Sequence, residues 1–144
     1  MSEAPFRRHP AYAKGGRERY GIGADLPARL DVCLAEAADP ALPLTARAAR
    51  AYLDVCFFHP FDDGNARAAF LALAFVLARE GVALDQVGPV RRIARYADDP
   101  KGALALAELL AVLITATAGR PGSGGPAGRP SPGPSSLRPP PGTA

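Results

Sequence analysis

The chain has 144 residues, a length that allows one domain and little more. Hydrophobic residues make up 48% and charged residues 22%, which excludes a wholly disordered chain. Of its 17 basic residues three lie in 119–144, where none of the 14 acidic residues is found, so the net charge of +3 comes from this tail. Residues 1–118 carry no net charge, which argues against sequence-independent binding to nucleic acid.

The first segment, residues 6–24, is rich in Gly, Arg and Tyr. Two short extended runs flank Gly15-Gly16, a pattern that fits a β-hairpin or flap. An irregular segment stays open as the alternative, because Gly-rich leaders often have no regular structure. We expect His9 to be solvated, whereas Tyr12 and Tyr20 fit packing aromatics and contacts to a ligand equally well.

Two helices are predicted to follow this leader, because apolar residues recur there at helical spacing. Asp25 or a neighbouring residue can cap the first helix, which carries Pro27 in its first turn and runs to about Asp39. Thr45 is expected to cap the second helix. That helix ends at His59, since the residue before a proline avoids the α region.

Three further helices are predicted in the second half of the chain. One begins near Asn65 and stops at Gly81, and a short one follows Pro89. The last has Asp99 as its cap and ends before Gly119. No alternating strand pattern competes with these helices. The predicted fold class is therefore all-α, with a possible small β-hairpin near the N-terminus.

The most apolar stretch is 103–118, and its Leu/Ala stripe over 103–114 is expected to belong to the core. Its 16 residues include Glu108, which makes it too short and too polar to be expected to span a bilayer. The N-terminus has no apolar run typical of a signal peptide. Cys33 and Cys56 are too few for a disulfide scaffold, so we expect a cytoplasmic protein in which both are reduced and buried.

Two features are expected to be solvated surface. In the segment 119–144, 15 of the 26 residues are Gly or Pro, which predicts a disordered tail behind a domain of residues 1–118. A PxxP-type ligand is the weaker alternative for this tail. Arg91, Arg92 and Arg95 form a basic run for which a solvated face is favoured over a ligand site.

The stretch HPFDDGNAR, residues 59–67, carries an unusual density of chemical groups for a turn between helices. Gly64 and Asn65 at a helix start offer free backbone N–H groups that suit phosphate, and Arg67 can add a bidentate contact. Asp63 can hold Mg²⁺ that bridges phosphate oxygens. His59, an imidazole, is the natural general base for a hydroxyl nucleophile. Together these groups predict phosphoryl or nucleotidyl transfer.

Taken one at a time, the same residues have simpler explanations. His59 alone fits a cation at a helix C-terminus, and Arg67 alone fits a solvated helix residue. Asp62 and Asp63 alone are more often capping acids than metal ligands, and we keep the capping interpretation for Asp62. Phe61 is most simply a core anchor for the loop. The predicted site therefore depends on the joint occurrence of these residues.

HPFDDGNAR resembles the signature loop of the Fic/Doc (Fido) family, whose pattern is HPFx(D/E)GN, then a small residue or Lys, then Arg. The flanks YLDVCFF and AAFLALAFVLAREG are similar in character to the paired helices of that fold. The resemblance covers roughly residues 6–114 and is strongest over 46–81. It implies a compact helical bundle that transfers part of a nucleotide to a Ser, Thr or Tyr hydroxyl of a target protein, most often AMP from ATP with Mg²⁺.

The resemblance also implies a role for each matching position. His59 deprotonates the target hydroxyl, Asp63 coordinates Mg²⁺, and the flap around 12–20 holds the target in an extended conformation. The residues implied to bind the nucleotide phosphates are Gly64, Asn65, Ala66 and Arg67.

Two positions depart from the adenylylating pattern. Ala66 stands where those members have a second Gly and where the phosphorylating Doc branch has Lys, and Phe70 stands where a second Arg is usual. A Doc-like protein phosphotransferase and a non-catalytic binding module therefore remain as alternatives. The autoinhibitory pattern Ser/Thr-xxx-Glu-Gly/Asn does not occur. Before the pair Glu80-Gly81, Val76 occupies the position at which the pattern requires Ser or Thr. A toxin role with a separate antitoxin-like partner is the implied form of control.

Overall fold

A computed structural model describes residues 6–92 and 99–119 of the chain. It confirms the predicted class, because helices dominate and one small antiparallel hairpin lies near the N-terminus. In chain order the elements are β1 (Ala11–Ala13), β2 (Glu18–Tyr20), α1 (Leu26–Ala37), α2 (Leu44–Phe58), α3 (Asn65–Arg79), α4 (Gly88–Arg92) and α5 (Pro100–Ala118). The predicted disorder of 120–144 and the predicted solvation of Arg95 lie outside the described residues.

The hairpin turns at the pair of glycines, as the sequence predicts. β1 and β2 are antiparallel, with Ala11 opposite Tyr20 and Ala13 opposite Glu18. Gly15 and Gly16 both have positive φ, 67° and 86°, a conformation that glycine adopts without steric cost. The turn thus brings Tyr20 beside the start of β1 and leaves the other edge of β1 without a strand partner among the described residues.

The core forms where α2 packs against α3, α1 and α5. Small residues on α2 and α3, among them Ala48 and Ala69, are fully buried and allow the two helix backbones to approach closely. The buried members of the main cluster are Ala48, Ala49, Tyr52, Leu53, Val55, Ala69, Leu73, Leu77, Val90, Leu106 and Leu110. Because α2 and α3 are fixed by this core, the loop that joins them is held at both ends.

Helix ends follow the sequence in part. Asp99 caps α5 as predicted, since its Oδ1 accepts a hydrogen bond from the Lys101 N–H at 3.1 Å. The prediction that Thr45 caps α2 is wrong, because the helix begins at Leu44 with Pro43 as its N-cap. The carbonyl of Pro43 already accepts a bond from the Arg47 N–H at 3.0 Å, which places Thr45 inside the first turn.

Helix α1 also differs from its prediction at its N-terminus. Asp25 occupies the N-cap position, but its side chain makes no capping hydrogen bond with the described residues. The helix ends at Ala37, close to the predicted end at about Asp39. Asp39 instead belongs to the turn that follows, where its Oδ1 accepts a hydrogen bond from the Ala41 N–H at 2.9 Å.

One face of α5 joins the core, so the prediction that the Leu/Ala stripe 103–114 belongs to the core is correct for that face only. Leu106 and Leu110 are fully buried, whereas Leu104 and Val112 are 62% and 65% exposed. The helix has 19 residues and, by length and composition alone, is long and apolar enough to cross a membrane. Of its most apolar window, 11% is buried. The bounds of the helix agree with the prediction, but the expectation that the segment is too short to span a bilayer considered only the 16 residues 103–118.

Two smaller predictions also need correction. Cys33 and Cys56 are not joined in a disulfide, but each is only half-buried. Phe61 is half-buried as well, and it stacks on Phe6 with ring centroids 6.1 Å apart instead of entering the core. His9 is exposed, as predicted.

Candidate active site

His59 ends α2 in a conformation that turns the chain sharply. It is the C-cap residue, in the left-handed region at φ 45° and ψ 58°, and Pro60 follows it. Its Nδ1 lies 2.8 Å from the carbonyl oxygen of Cys56. Because a carbonyl oxygen only accepts hydrogen bonds, Nδ1 is assigned the proton, and Nε2 of the neutral ring is left with its lone pair. This is the form that a general base requires.

The loop after His59 is braced by the side chain of Asn65. Asn65 Oδ1 accepts a hydrogen bond from the Phe61 N–H at 2.9 Å, and its Nδ2 donates to the Phe61 carbonyl at 2.8 Å. Asn65 is buried, so both bonds form away from bulk water. The motif predicts a role for the backbone N–H of Asn65, but nothing in the sequence indicates this role of its side chain.

The N-terminus of α3 has the features that suit an anion. Gly64 is the N-cap at φ +77°, and no side chain among the described residues caps the helix. The first N–H groups of α3 therefore have no intrahelical partner, and the helix dipole adds positive potential there. A Cβ at Gly64 would lie 3.0 Å from Arg67 Nη2, in a conformation that other residues rarely adopt.

Asp63 and Arg67 face each other at the surface. Asp63 Oδ2 lies 3.6 Å from Arg67 Nη2, and the two side chains are 95% and 74% exposed. An exposed pair at this distance is weak, so both groups are available to a ligand. Mg²⁺ is commonly held by one or two carboxylates together with substrate phosphates and water, and Asp63 fits that requirement as a single protein ligand. The described residues contain no cluster of three or more His, Cys, Asp or Glu side chains that could hold a metal without such a substrate.

All the predicted site residues meet in one cleft of about 330 Å³, here called the loop cleft. Its walls are the hairpin strand β1 on one side and the loop with the first turn of α3 on the other. The lining residues are Ala11, Tyr12, Ala13, His59, Asp62, Asp63, Gly64, Asn65, Ala66 and Arg67. The fold thus places a candidate base, an anion-binding helix end and a strand edge around one space.

Tyr20 of β2 stacks on the imidazole of His59. The ring centroids are 3.7 Å apart and the planes differ by 12°. The Tyr20 hydroxyl donates to Glu18 Oε2 at 3.0 Å, and Glu18 Oε1 accepts from Lys14 Nζ at 2.6 Å. Burial and then the bond to Glu18 raise the pKa of Tyr20, which keeps the phenol neutral. Of the two interpretations left open for Tyr20, the structure shows an aromatic contact with His59.

Arg7 joins the hairpin to the end of α2, a role that the sequence analysis missed. Its side chain is buried, and burial lowers the pKa of the guanidinium. The nitrogens donate to five backbone carbonyls, which belong to Phe58, His59, His9, Tyr20 and Gly21. The Arg7 N–H also donates to the Pro60 carbonyl at 2.8 Å. One side chain therefore fixes the position of the hairpin relative to His59.

A comparison with protein-family models matches residues 4–77 to the Fic/DOC family. The match spans the hairpin, α1, α2, the loop and most of α3, which together are more than half of the chain. The chain belongs to the Fic/DOC family. Searches of curated proteins and of solved structures gave no match.

The two positions that depart from the adenylylating Fic/DOC pattern both lie on α3. Ala66 is exposed in the first turn and lines the loop cleft, where its methyl group leaves room beside Arg67. Phe70 is half-buried one turn later and packs against the main core. Phe70 therefore supplies an apolar surface at the position where the adenylylating pattern has a second guanidinium.

Proposed function

We propose that this Fic/DOC protein transfers AMP from ATP, with Mg²⁺, to a hydroxyl side chain of a target protein. The observation that carries the proposal is the loop cleft, in which His59, the uncapped N-terminus of α3 and Arg67 surround one space. A base beside an anion site is what nucleotidyl transfer to a hydroxyl requires, since that reaction depends on positioning and electrostatics.

In the proposed reaction, His59 Nε2 accepts the proton of the target hydroxyl while its oxygen forms a bond to the α-phosphorus of ATP. The bond from that phosphorus to the bridging oxygen of the β-phosphate breaks, and pyrophosphate leaves with the electron pair. The N–H groups at the start of α3 and the guanidinium of Arg67 stabilise the charge on the phosphate oxygens. Mg²⁺, when bound at Asp63, supplies further neutralisation of the phosphate charge.

The hairpin is the proposed dock for the target. β1 borders the loop cleft, and its outer edge has no strand partner among the described residues. An extended target segment can add to such an edge through main-chain hydrogen bonds. Tyr12, which is 62% exposed at this edge, is available to contact a side chain of that segment.

A Doc-like transfer of the γ-phosphate is the second candidate. It is favoured by Phe70, because the second guanidinium usual in adenylylating members is missing from that position. A toxin role, a separate antitoxin-like partner and a cytoplasmic location complete the proposal. The separate partner is supported by the lack of the internal autoinhibitory pattern, and an antitoxin gene beside the coding sequence is the simplest check.

The test is incubation of the full chain with Mg²⁺ and ATP labelled at the α- or the γ-phosphate, in a bacterial lysate. His59→Ala removes the candidate base. His9→Ala is the matched control, because it alters the only other histidine, which is exposed and does not line the loop cleft. We expect protein label from α-labelled ATP that His59→Ala lowers by a factor of about 10²–10⁴ and that His9→Ala leaves unchanged.

The other outcomes contradict the proposal in distinct ways. Label from γ-labelled ATP alone establishes the Doc-like reaction. Label that both histidine variants retain shows that His59 is not the base. If neither nucleotide gives label and wild-type protein does not bind ATP, the chain is a non-catalytic module.

A further inference from the structure

A second cavity of about 420 Å³ lies beside the loop cleft and is here called the side cavity. Its lining residues are Tyr52, Ala66, Arg67, Phe70, Leu71 and Arg91. Ala66 and Arg67 line both spaces, so the side cavity adjoins the loop cleft along the first turn of α3. A molecule that is bound at Arg67 can therefore extend from one space into the other.

The lining of the side cavity combines two guanidinium groups with an aromatic and aliphatic wall. Arg67 comes from the first turn of α3 and Arg91 from α4, and both side chains are exposed. Within residues 6–92 and 99–119, no carboxylate forms an ion pair with Arg91. Two cations that face one space create a positive potential that favours a polyanion. Phe70 and Leu71 add the apolar surface that small-molecule pockets of this size commonly have.

The position of Arg91 in the chain explains why no motif points to it. It lies 24 residues after Arg67, on a separate short helix, and beyond the residues that match the Fic/DOC model. Its neighbour Arg92 is also exposed but does not line the side cavity. Arg91 therefore places a cation at the side cavity, whereas the adjacent Arg92 places one elsewhere on the surface. The pair allows the effect of position to be distinguished from the effect of charge.

We propose that Arg91 is a phosphate-binding residue that acts with Arg67 on one nucleotide, with the nucleoside part against Phe70 and Leu71. The proposal rests on the proposed function, since it takes ATP as the ligand. Guanidinium groups bind phosphate oxygens through paired, charge-assisted hydrogen bonds, which makes arginine suited to this role. Arg91 thereby supplies from α4 a second cation that Phe70 cannot supply from α3.

The experiment measures equilibrium binding of ATP with Mg²⁺ to the full chain by calorimetry, without a target protein. We expect Arg91→Ala to weaken ATP binding about tenfold, which corresponds to roughly 1.4 kcal/mol. Arg92→Ala is the matched control and is expected to change the affinity less than about twofold, because it removes the same charge from the same helix outside the cavity. Arg67→Ala serves as the reference for the phosphate site itself.

Adenosine is the second probe, because it has the nucleoside without the phosphates. Arg91→Ala should leave adenosine binding unchanged, and a loss as large as that for ATP overturns the phosphate role. The proposal is also overturned if Arg91→Ala binds ATP as Arg92→Ala does while Arg67→Ala is impaired. If wild-type protein binds no ATP, the proposed function fails and this inference fails with it. Thermal unfolding of each variant checks that the exposed substitutions leave the fold intact.

Discussion

The two walls of the loop cleft differ in how firmly they are built. On the hairpin side, buried Arg7 bonds five carbonyls and Tyr20 stacks on His59 at 3.7 Å. On the phosphate side, Asp63 and Arg67 are mostly exposed and lie 3.6 Å apart. The side with the candidate base and the strand edge is therefore preorganised, while the candidate nucleotide-binding groups Asp63 and Arg67 are held by a weak, exposed pair with each other. This is the arrangement expected where a substrate supplies the missing charge.

Substitution of Arg7 should loosen the hairpin side of the loop cleft, and it has the largest expected effect on the free energy of unfolding. Arg7→Met leaves buried backbone carbonyls without donors, which we expect to lower the free energy of unfolding by about 3 kcal/mol. Arg17→Met is the control, since Arg17 is exposed at the hairpin turn, and it should cost less than about 0.5 kcal/mol. Equal losses in urea unfolding would show that the Arg7 network does not hold the hairpin.

The contact between Tyr20 and His59 offers a sharper test of the same wall. Tyr20→Leu removes the aromatic face, and we expect it to lower the free energy of unfolding by about 1 kcal/mol while Tyr20→Phe preserves most of the stack. The more specific measurement is the NMR shift of the His59 ring protons, which should move downfield in Tyr20→Leu and stay in place in Tyr20→Phe. Tyr12→Leu is the control on the neighbouring strand. Ring-proton shifts of His59 that are the same in Tyr20→Leu and in wild type would contradict the stacked geometry.

Substitutions on the phosphate side of the loop cleft should affect ligand binding more than stability. Asp63→Asn is expected to change the free energy of unfolding by less than about 0.5 kcal/mol, because its ion pair with Arg67 is exposed. The same variant should reduce the gain in ATP affinity that Mg²⁺ produces, measured by calorimetry with and without the metal. Asp62→Asn, at the neighbouring exposed carboxylate, should retain that gain. A loss in both variants, or in neither, would remove Asp63 from the metal-binding role.

The smallest expected effect is the contribution of Glu18 to the pH dependence of stability. Hydrogen bonds from Lys14 and then Tyr20 lower the pKa of Glu18 from its ordinary value of 4.5. A lowered pKa in the folded state means that Glu18 contributes stability above about pH 4.5 and that this contribution is lost as the pH falls further. The melting temperature of Glu18→Gln should therefore fall less on acidification than that of wild type. In Glu108→Gln, at an exposed carboxylate of α5, the melting temperature should fall on acidification as it does in wild type. Identical curves of melting temperature against pH for all three proteins would contradict the prediction.

Local patterns in the sequence predicted the helices, the hairpin turn and the loop, because each depends on residues close together in the chain. Gly15 and Gly16 mark a turn, and Asp99 with Pro100 marks a helix start, without help from distant residues. The prediction for Thr45 was wrong although threonine is a good capping residue. The helix begins earlier, because the carbonyl of Pro43, two positions before Thr45, accepts the first helical hydrogen bond.

The parts that could not be predicted depend on contacts between distant residues. Arg7 bonds carbonyls as far as 52 positions away, and backbone carbonyls leave no signature in a sequence. Arg91 reaches the side cavity only because α4 is folded against the core through Val90. The open face of α5 was equally hidden, since its exposed and buried leucines are chemically the same.

The turn at residue 59 has a practical consequence, because one residue does two separable jobs. Its backbone carbonyl accepts a hydrogen bond from Arg7, while its imidazole stacks on Tyr20 beside the loop cleft that the residue lines. A side-chain substitution there leaves the carbonyl in place, so a His59 variant keeps the Arg7 attachment of its hairpin and gives up only the ring that Tyr20 covers. Under the proposed function such a variant lacks the base, which makes it suited as bait for a target that wild-type protein would modify and release.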